Sequence, residues 1–312
     1  MRCMCKSGRD VRDSMRRAAA QTGLGRPVAI ASIILLSSLP LFADVYYHVF
    51  TLVANFDLLS SSGAYPLAML LFLFAWLLSC RKKLISTLSN QDSRFGITRF
   101  SALGLLLLAA SLTGRALLKF PALLVLQLFL LLGFLQGCAM LAFPETSKMT
   151  LKALALYVVS ASIPAIASTF FDRPISLGFT SNIVPFLNAL GYPVKQSEAT
   201  ILLELPSGQV SSLLIDSACA GPASYSIFIF LNGLMLLDLG AERKRFALFT
   251  LAGLATLYVL NLLRVAAIVH ATFYYGEAAG QSVHLYLGYV LFTAFYLVYA
   301  LLFARYSYQR AS

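Results

Sequence analysis

Three residue types that together can break and remake an acyl bond come late in this chain: Cys219, Arg264 and His284. A cysteine attacks a carbonyl as its thiolate, a form that a nearby cation favours. A histidine takes or returns a proton near neutral pH. An arginine can stabilise either the thiolate or the oxyanion of a tetrahedral intermediate. Around the thiol, LLIDSACAGPAS supplies Ala218, Ala220 and Gly221, small enough to admit a substrate backbone and to leave main-chain N–H groups available. Asp216 has two readings, an orienting group for the histidine or a turn cap. Taken alone, Cys219 is packing, because a free cysteine usually behaves as a small buried hydrophobe. Its surroundings must decide.

Those surroundings are a membrane. Hydrophobic residues make up 59% of the chain and charged residues 12%, with mean hydropathy +0.79, whereas a soluble domain carries about 25% charged residues. The 312 residues leave room for about eight spans of roughly 20 residues. Apolar runs bounded by charges, Pro or Gly predict helices over 27–44, 65–80, 100–114, 121–141, 152–170, 218–238, 246–268 and 284–304. The expected fold is an all-α transmembrane helical bundle of about eight spans, with one short extracytoplasmic β-hairpin loop. Its segments are a basic cytoplasmic tail at 1–26, N-terminal transmembrane helices over 27–170 and an extracytoplasmic loop at 171–216. A catalytic transmembrane core at 217–305 and a cytoplasmic tail at 306–312 follow.

The net charge of +11 points to cytoplasmic loops rather than to nucleic acid, because membrane proteins gather Lys and Arg there. The tail is too long for a signal-peptide basic region and reads as retained. With both termini inside, 19 of the 24 Lys and Arg face the cytoplasm, four face out, and Arg264 falls within a span. That bias sets both termini as cytoplasmic in a multi-pass cell-membrane protein. The stretch 45–64, rich in aromatics and serines, reads as an interfacial segment on the outer side. The long loop 171–216 then lies outside, where ATILLELPSGQVSSLLID predicts two short strands around a Pro-Ser-Gly turn that lead into Cys219.

Orientation also sorts the five cysteines. Cys3 and Cys5 belong to the tail, Cys80 and Cys138 lie near inner span ends, and Cys219 is at the outer face. An unpaired thiol in an oxidising compartment is a candidate reactive group. Arg264, one to two turns from the expected outer end of its span, either snorkels or faces the bundle interior. Asn261, three residues earlier on the same helical face, is placed to orient its guanidinium. His284 opens the last span, with Gly288 one turn on permitting close helix approach. His270 lies about 120° around the helix from Arg264, so those two need not share a site. Cys219, Arg264 and His284 thus open or close three successive spans on one side and can converge in one layer.

The hairpin running into SACAG, the basic RKR loop, the NLLRV segment and HLYLGYVLF, in this order over about residues 180–295, resemble the exosortase/archaeosortase family of membrane cysteine transpeptidases. Residues 1–170 resemble it only as a hydrophobic bundle. The resemblance implies Cys219 as nucleophile, Arg264 as thiolate or transition-state stabiliser and His284 as acid/base, with Asn261 matching the asparagine beside the family's arginine. Ala220 stands where the family often has Ser or Thr. It implies exported substrates that end in a short motif, a transmembrane helix and a basic cluster. Cleavage would occur at the outer face, with transfer to an acceptor such as a lipid or glycan, or hydrolysis by water. The partners are therefore those proteins and the lipid bilayer, with no nucleic acid. Neither metal nor cofactor is expected, since there is no HExxH and only three scattered histidines. The rival reading is a transporter or channel using intramembrane Arg264. Against it, the halves of the chain do not repeat, no pair of matching broken helices is evident, and the polar groups gather at one face.

Overall fold

A computed structural model describes residues 29–54, 64–89, 99–118, 124–239 and 243–308. The basic tail at 1–26 lies outside the described residues. The helices are α1 (Ala29–Leu41), α2 (Ala43–Ala54), α3 (Ala64–Ser79), α4 (Arg81–Ser89), α5 (Arg99–Leu117) and α6 (Leu124–Ala142). They continue with α7 (Pro144–Phe170), α8 (Asp172–Ala189), α9 (Pro222–Leu239), α10 (Arg243–Tyr275) and α11 (Glu277–Tyr308). Between α8 and α9 come strands β1 (Val194–Ser197), β2 (Thr200–Glu204) and β3 (Val210–Leu214), then a 3-10 turn at Ser217–Ala220.

The span count departs from eight. Among the described residues five helices are long and apolar enough to cross a bilayer, or six if the α1–α2 pair, bent by 87°, is one broken span. Helices α3 and α9 are apolar but shorter. Pro40 at the bend removes a backbone donor and crowds the preceding turn, the usual cause of such a break. The long helices keep the membrane reading intact: only 17% of the apolar window of α10 and 22% of that of α11 is buried within the protein. Their exposed Leu, Val and Tyr side chains suit hydrocarbon, where backbone groups are satisfied inside each helix.

The described residues fall into two compact units, bounded as Met1–Ala54 with Phe74–Ala155, and Asn55–Leu73 with Leu156–Ser312. In the first, α5 and α6 approach closely through glycines. A Cβ on Gly104 would lie 3.0 Å from the Met140 Cβ, and one on Gly137 would lie 2.9 Å from the Gly104 carbonyl oxygen. Arg115 pairs with Asp44 and donates to the Gln127 side chain.

The second unit holds Cys219, Arg264 and His284. The segment 171–216, expected as a loop carrying one two-stranded hairpin, instead begins with the 18-residue helix α8 and continues as a three-stranded antiparallel sheet of order β1-β2-β3. Pro174 fits the first turn of α8, where a missing N–H costs nothing. Its buried face starts with Ser176 and Thr180, one turn apart, and continues as an apolar stripe of Phe179, Ile183, Val184 and Leu187. The sheet packs Val194, Ile201, Leu203 and Ile215 against Phe179, Ile183 and Leu187 of α8 and Val265 and Val269 of α10. Deeper, Phe228, Leu257, Phe292, Tyr296, Tyr299 and Phe303 join α9, α10 and α11. Polar clamps accompany them: Asn232 donates to Thr250 at 2.6 Å and Tyr299 donates to Asn232 at 3.1 Å.

Helices α10 and α11 form a hairpin with one linking residue. Gly276, at φ +88°, takes the left-handed conformation that ends one helix and frees the chain to start the next. At 33 residues, α10 is about 50 Å long. It therefore outruns a hydrocarbon core of about 30 Å, and its far end holds the sheet.

Candidate active site

Under the sheet lies a cavity of about 380 Å³ lined by β3 residues Ser211–Leu214, by Asp216, Cys219, Arg264, Glu277 and His284, and by further residues of the α10–α11 hairpin. Residues drawn from the 3-10 turn, α10 and α11 thus meet at one void.

The 3-10 turn holds the thiol. Asp216 is its cap, accepting the Cys219 N–H at 2.9 Å through Oδ1, which selects the capping alternative of its two readings. Gly221 closes the turn at φ +86°, a conformation that L side chains rarely take. Asn261, buried on α10, donates through Nδ2 to the Cys219 carbonyl at 2.8 Å. Its role is therefore different from the guanidinium contact expected from sequence: it ties the thiol's own backbone to α10. The Gly221 N–H donates to the Ala218 carbonyl at 3.1 Å. The N–H groups of Cys219 and Gly221 are thus used by the turn, and not held free for a substrate.

Asp172, which the sequence reading passed over, accepts the Ser217 N–H at 3.0 Å. Hydrogen bonds from the Ser217 side chain and backbone hold this carboxyl below its usual range. An acidic residue in the first turn of a helix is a visible signal, but the partner, a backbone N–H 45 positions on, is not.

Cys219 is only partly exposed. Burial, then the Asp216 charge and its hydrogen bond with the thiol, push it up to about 11, while the Arg264 charge pulls it the other way. Arg264 lies 11 residues before the end of α10, about three turns, deeper than expected from sequence. Its Nη2 donates to the His284 carbonyl at 3.3 Å, and its Nε is buried without a hydrogen-bond partner. Room for the guanidinium comes from Gly288, where a Cβ would meet Nε at 3.0 Å. His284 does not open the last helix. It sits two turns inside α11, which begins at Glu277.

His270 faces elsewhere: the Tyr192 hydroxyl hydrogen-bonds its Nδ1 at 2.6 Å, beside a separate apolar cavity of about 850 Å³. Among the described residues, no three His, Cys, Asp or Glu side chains gather to hold a metal.

A family model described as transmembrane exosortase matches residues 60–303. No curated protein matches the chain, and no solved structure does. The match takes in α3 to α10, most of α11 and every residue at the cavity, and with its apolar helices it makes this chain a multi-pass membrane protein of the transmembrane exosortase family.

Proposed function

We propose that the protein is a membrane cysteine transpeptidase or protease that cleaves C-terminal sorting signals of exported proteins at the extracytoplasmic face, with both termini in the cytoplasm. The observation that carries this reading is the shared cavity of Cys219, Arg264 and His284 in a chain of the exosortase family.

The roles follow from the chemistry. A thiol held up to about 11 stays protonated at neutral pH, so His284 takes its proton as Sγ attacks the scissile carbonyl. The new C–S bond places negative charge on the carbonyl oxygen, which the Arg264 guanidinium stabilises. Collapse breaks the C–N bond, and His284 returns the proton to the leaving amine. The acyl group now sits on Cys219 as a thioester. A lipid or glycan acceptor, or water, then attacks, passes its proton to His284 and regenerates the thiol. Asn261, Asp216 and Gly221 position the nucleophile and do not take part in bond making. A substrate held by its own transmembrane helix has its scissile bond fixed near this depth, which spares the entropy of bringing the two together.

The test is C-terminal processing of exported proteins in cells carrying Cys219→Ala, Arg264→Ala or His284→Ala. Processing should stop with Cys219→Ala and fall by about 100-fold or more with His284→Ala, the range for loss of a proton carrier. Arg264→Ala should fall as far, as for loss of an oxyanion donor. Unchanged processing in Cys219→Ala and Arg264→Ala would overturn the reading.

A further inference from the structure

The two edges of the sheet are unlike. On one, β1 (VKQS) exposes Lys195, Gln196 and Ser197 and packs against α8. Charge and cover of this kind are how proteins blunt a strand edge. On the other, β3 (VSSLL) carries no charge and no proline, and among the described residues β2 is its single strand neighbour. Exposed Val210 and Leu214 flank this edge, at 64% and 71%. Such an edge invites pairing with another strand.

The register tells which groups it offers. Ile215 donates to Ala199 and Leu205 donates to Gln209, so Leu213 and Ser211, opposite Ile201 and Leu203, bond to β2 by antiparallel alternation. The main-chain groups of Val210, Ser212 and Leu214 therefore point away from β2. This strand lines the same cavity as Cys219, with Arg264 and His284 across the void. Ser211, by contrast, is tied by its hydroxyl to Glu277 at 2.9 Å, which fixes β3 relative to α11.

We infer that the free edge of β3 is the substrate-binding strand: an extended peptide segment of the exported protein adds beside it and delivers its scissile carbonyl to Cys219. The inference rests on the proposed peptidase reading and extends it to how the peptide is held. Main-chain pairing supplies affinity that does not depend on side chains, and alternate side chains of the peptide fall toward or away from the cavity floor. An extended backbone is also the form in which a carbonyl is open to attack. The continuity of one cavity from β3 to the thiol favours a peptide here over a lipid chain, which has no groups to pair with the strand.

Ser212→Pro removes an outward N–H while leaving every β2–β3 bond in place. Gln196→Pro removes an outward N–H on the opposite edge, together with the side-chain bond to the Glu198 carbonyl. Each is expressed in cells whose processing is abolished by Cys219→Ala, and C-terminal processing of exported proteins is measured by mass spectrometry. Ser212→Pro should slow it by about tenfold, one hydrogen bond to the peptide, with Gln196→Pro within twofold of the unsubstituted protein. Equal processing in the two proline variants, whether high or low, overturns the inference. Processing that survives Cys219→Ala overturns instead the peptidase reading beneath it. A second measurement does not depend on proline being tolerated. A photo-crosslinking amino acid at position 214 in a Cys219→Ala background should capture uncleaved precursors of the proteins that Cys219 processes, and one at position 195 should not. Equal capture at the two positions, or capture of unrelated proteins at 214, also overturns it.

Discussion

At the scale of single residues, the thiol is restrained rather than activated in the resting state. Burial and Asp216 outweigh the Arg264 charge at Cys219 and push it up to about 11. Since the thiolate is the reactive form, alkylation at Cys219, followed by peptide mass spectrometry, should rise about tenfold per pH unit from pH 7 to pH 10, whereas an ordinary thiol levels off above about 8.5. The sign of two substitutions follows. Asp216→Asn removes the charge while keeping a capping side chain, so the thiol becomes more acidic and alkylation at pH 8 faster. Arg264→Ala removes the favourable charge and slows it. A plateau near pH 8.5, or the opposite order of the two variants, would contradict this electrostatic account.

At the scale of elements, glycines set the geometry that polar residues then use. Gly288 leaves the space occupied by the Arg264 guanidinium, and a Cβ there would come within 3.0 Å of Nε. Gly288→Ala should therefore displace the guanidinium and lower processing by about tenfold, the scale of a weakened oxyanion contact, while the protein still folds and inserts. Gly221→Ala should act through strain, costing about 1–2 kcal/mol at a left-handed position, read as a loss of thermal stability in detergent. Normal processing in Gly288→Ala would contradict the packing account. These elements were unevenly legible in the sequence. Cys219, Arg264 and His284 stood out because polar groups in apolar runs are costly and few, and Gly288 because it lay one turn from His284. Helix α8 carries an apolar stripe at helical spacing, Phe179, Ile183, Val184 and Leu187, but Ser176, Thr180 and the internal Pro185 broke up the apolar run by which the other helices were placed. Asn261 shared a face with Arg264, which suggested a partner, yet its bond is to the Cys219 backbone, and a carbonyl oxygen leaves no mark in a sequence pattern. Helix lengths were misjudged for a similar reason. α10 and α11 continue past their apolar cores into more polar turns, moving Arg264 and His284 deeper from the helix ends than the apolar runs imply.

At the scale of the whole molecule, apolar helices long enough to cross a bilayer accompany one polar-lined cavity that holds the candidate residues. Lipid-facing Leu, Val and Tyr cover the long helices, and the aromatic cluster of α9, α10 and α11 braces the hairpin on which Arg264 and His284 stand. The sheet and the 3-10 turn pack on the C-terminal part of α10, and under the proposed function a membrane-anchored peptide would meet the thiol at this end. The basic loops, 19 Lys and Arg against four, orient this end away from the cytoplasm under the proposed topology. In the proposed reaction an acyl group passes through a thioester on Cys219. Hydroxylamine added to cells intercepts such a thioester, its nitrogen displacing the thiol to leave a hydroxamate on the cleaved protein. Mass spectrometry of exported proteins should find hydroxamate C-termini in cells carrying the unsubstituted protein and none with Cys219→Ala. Processing that continues without hydroxamate, or hydroxamate formed equally in Cys219→Ala, would contradict the account.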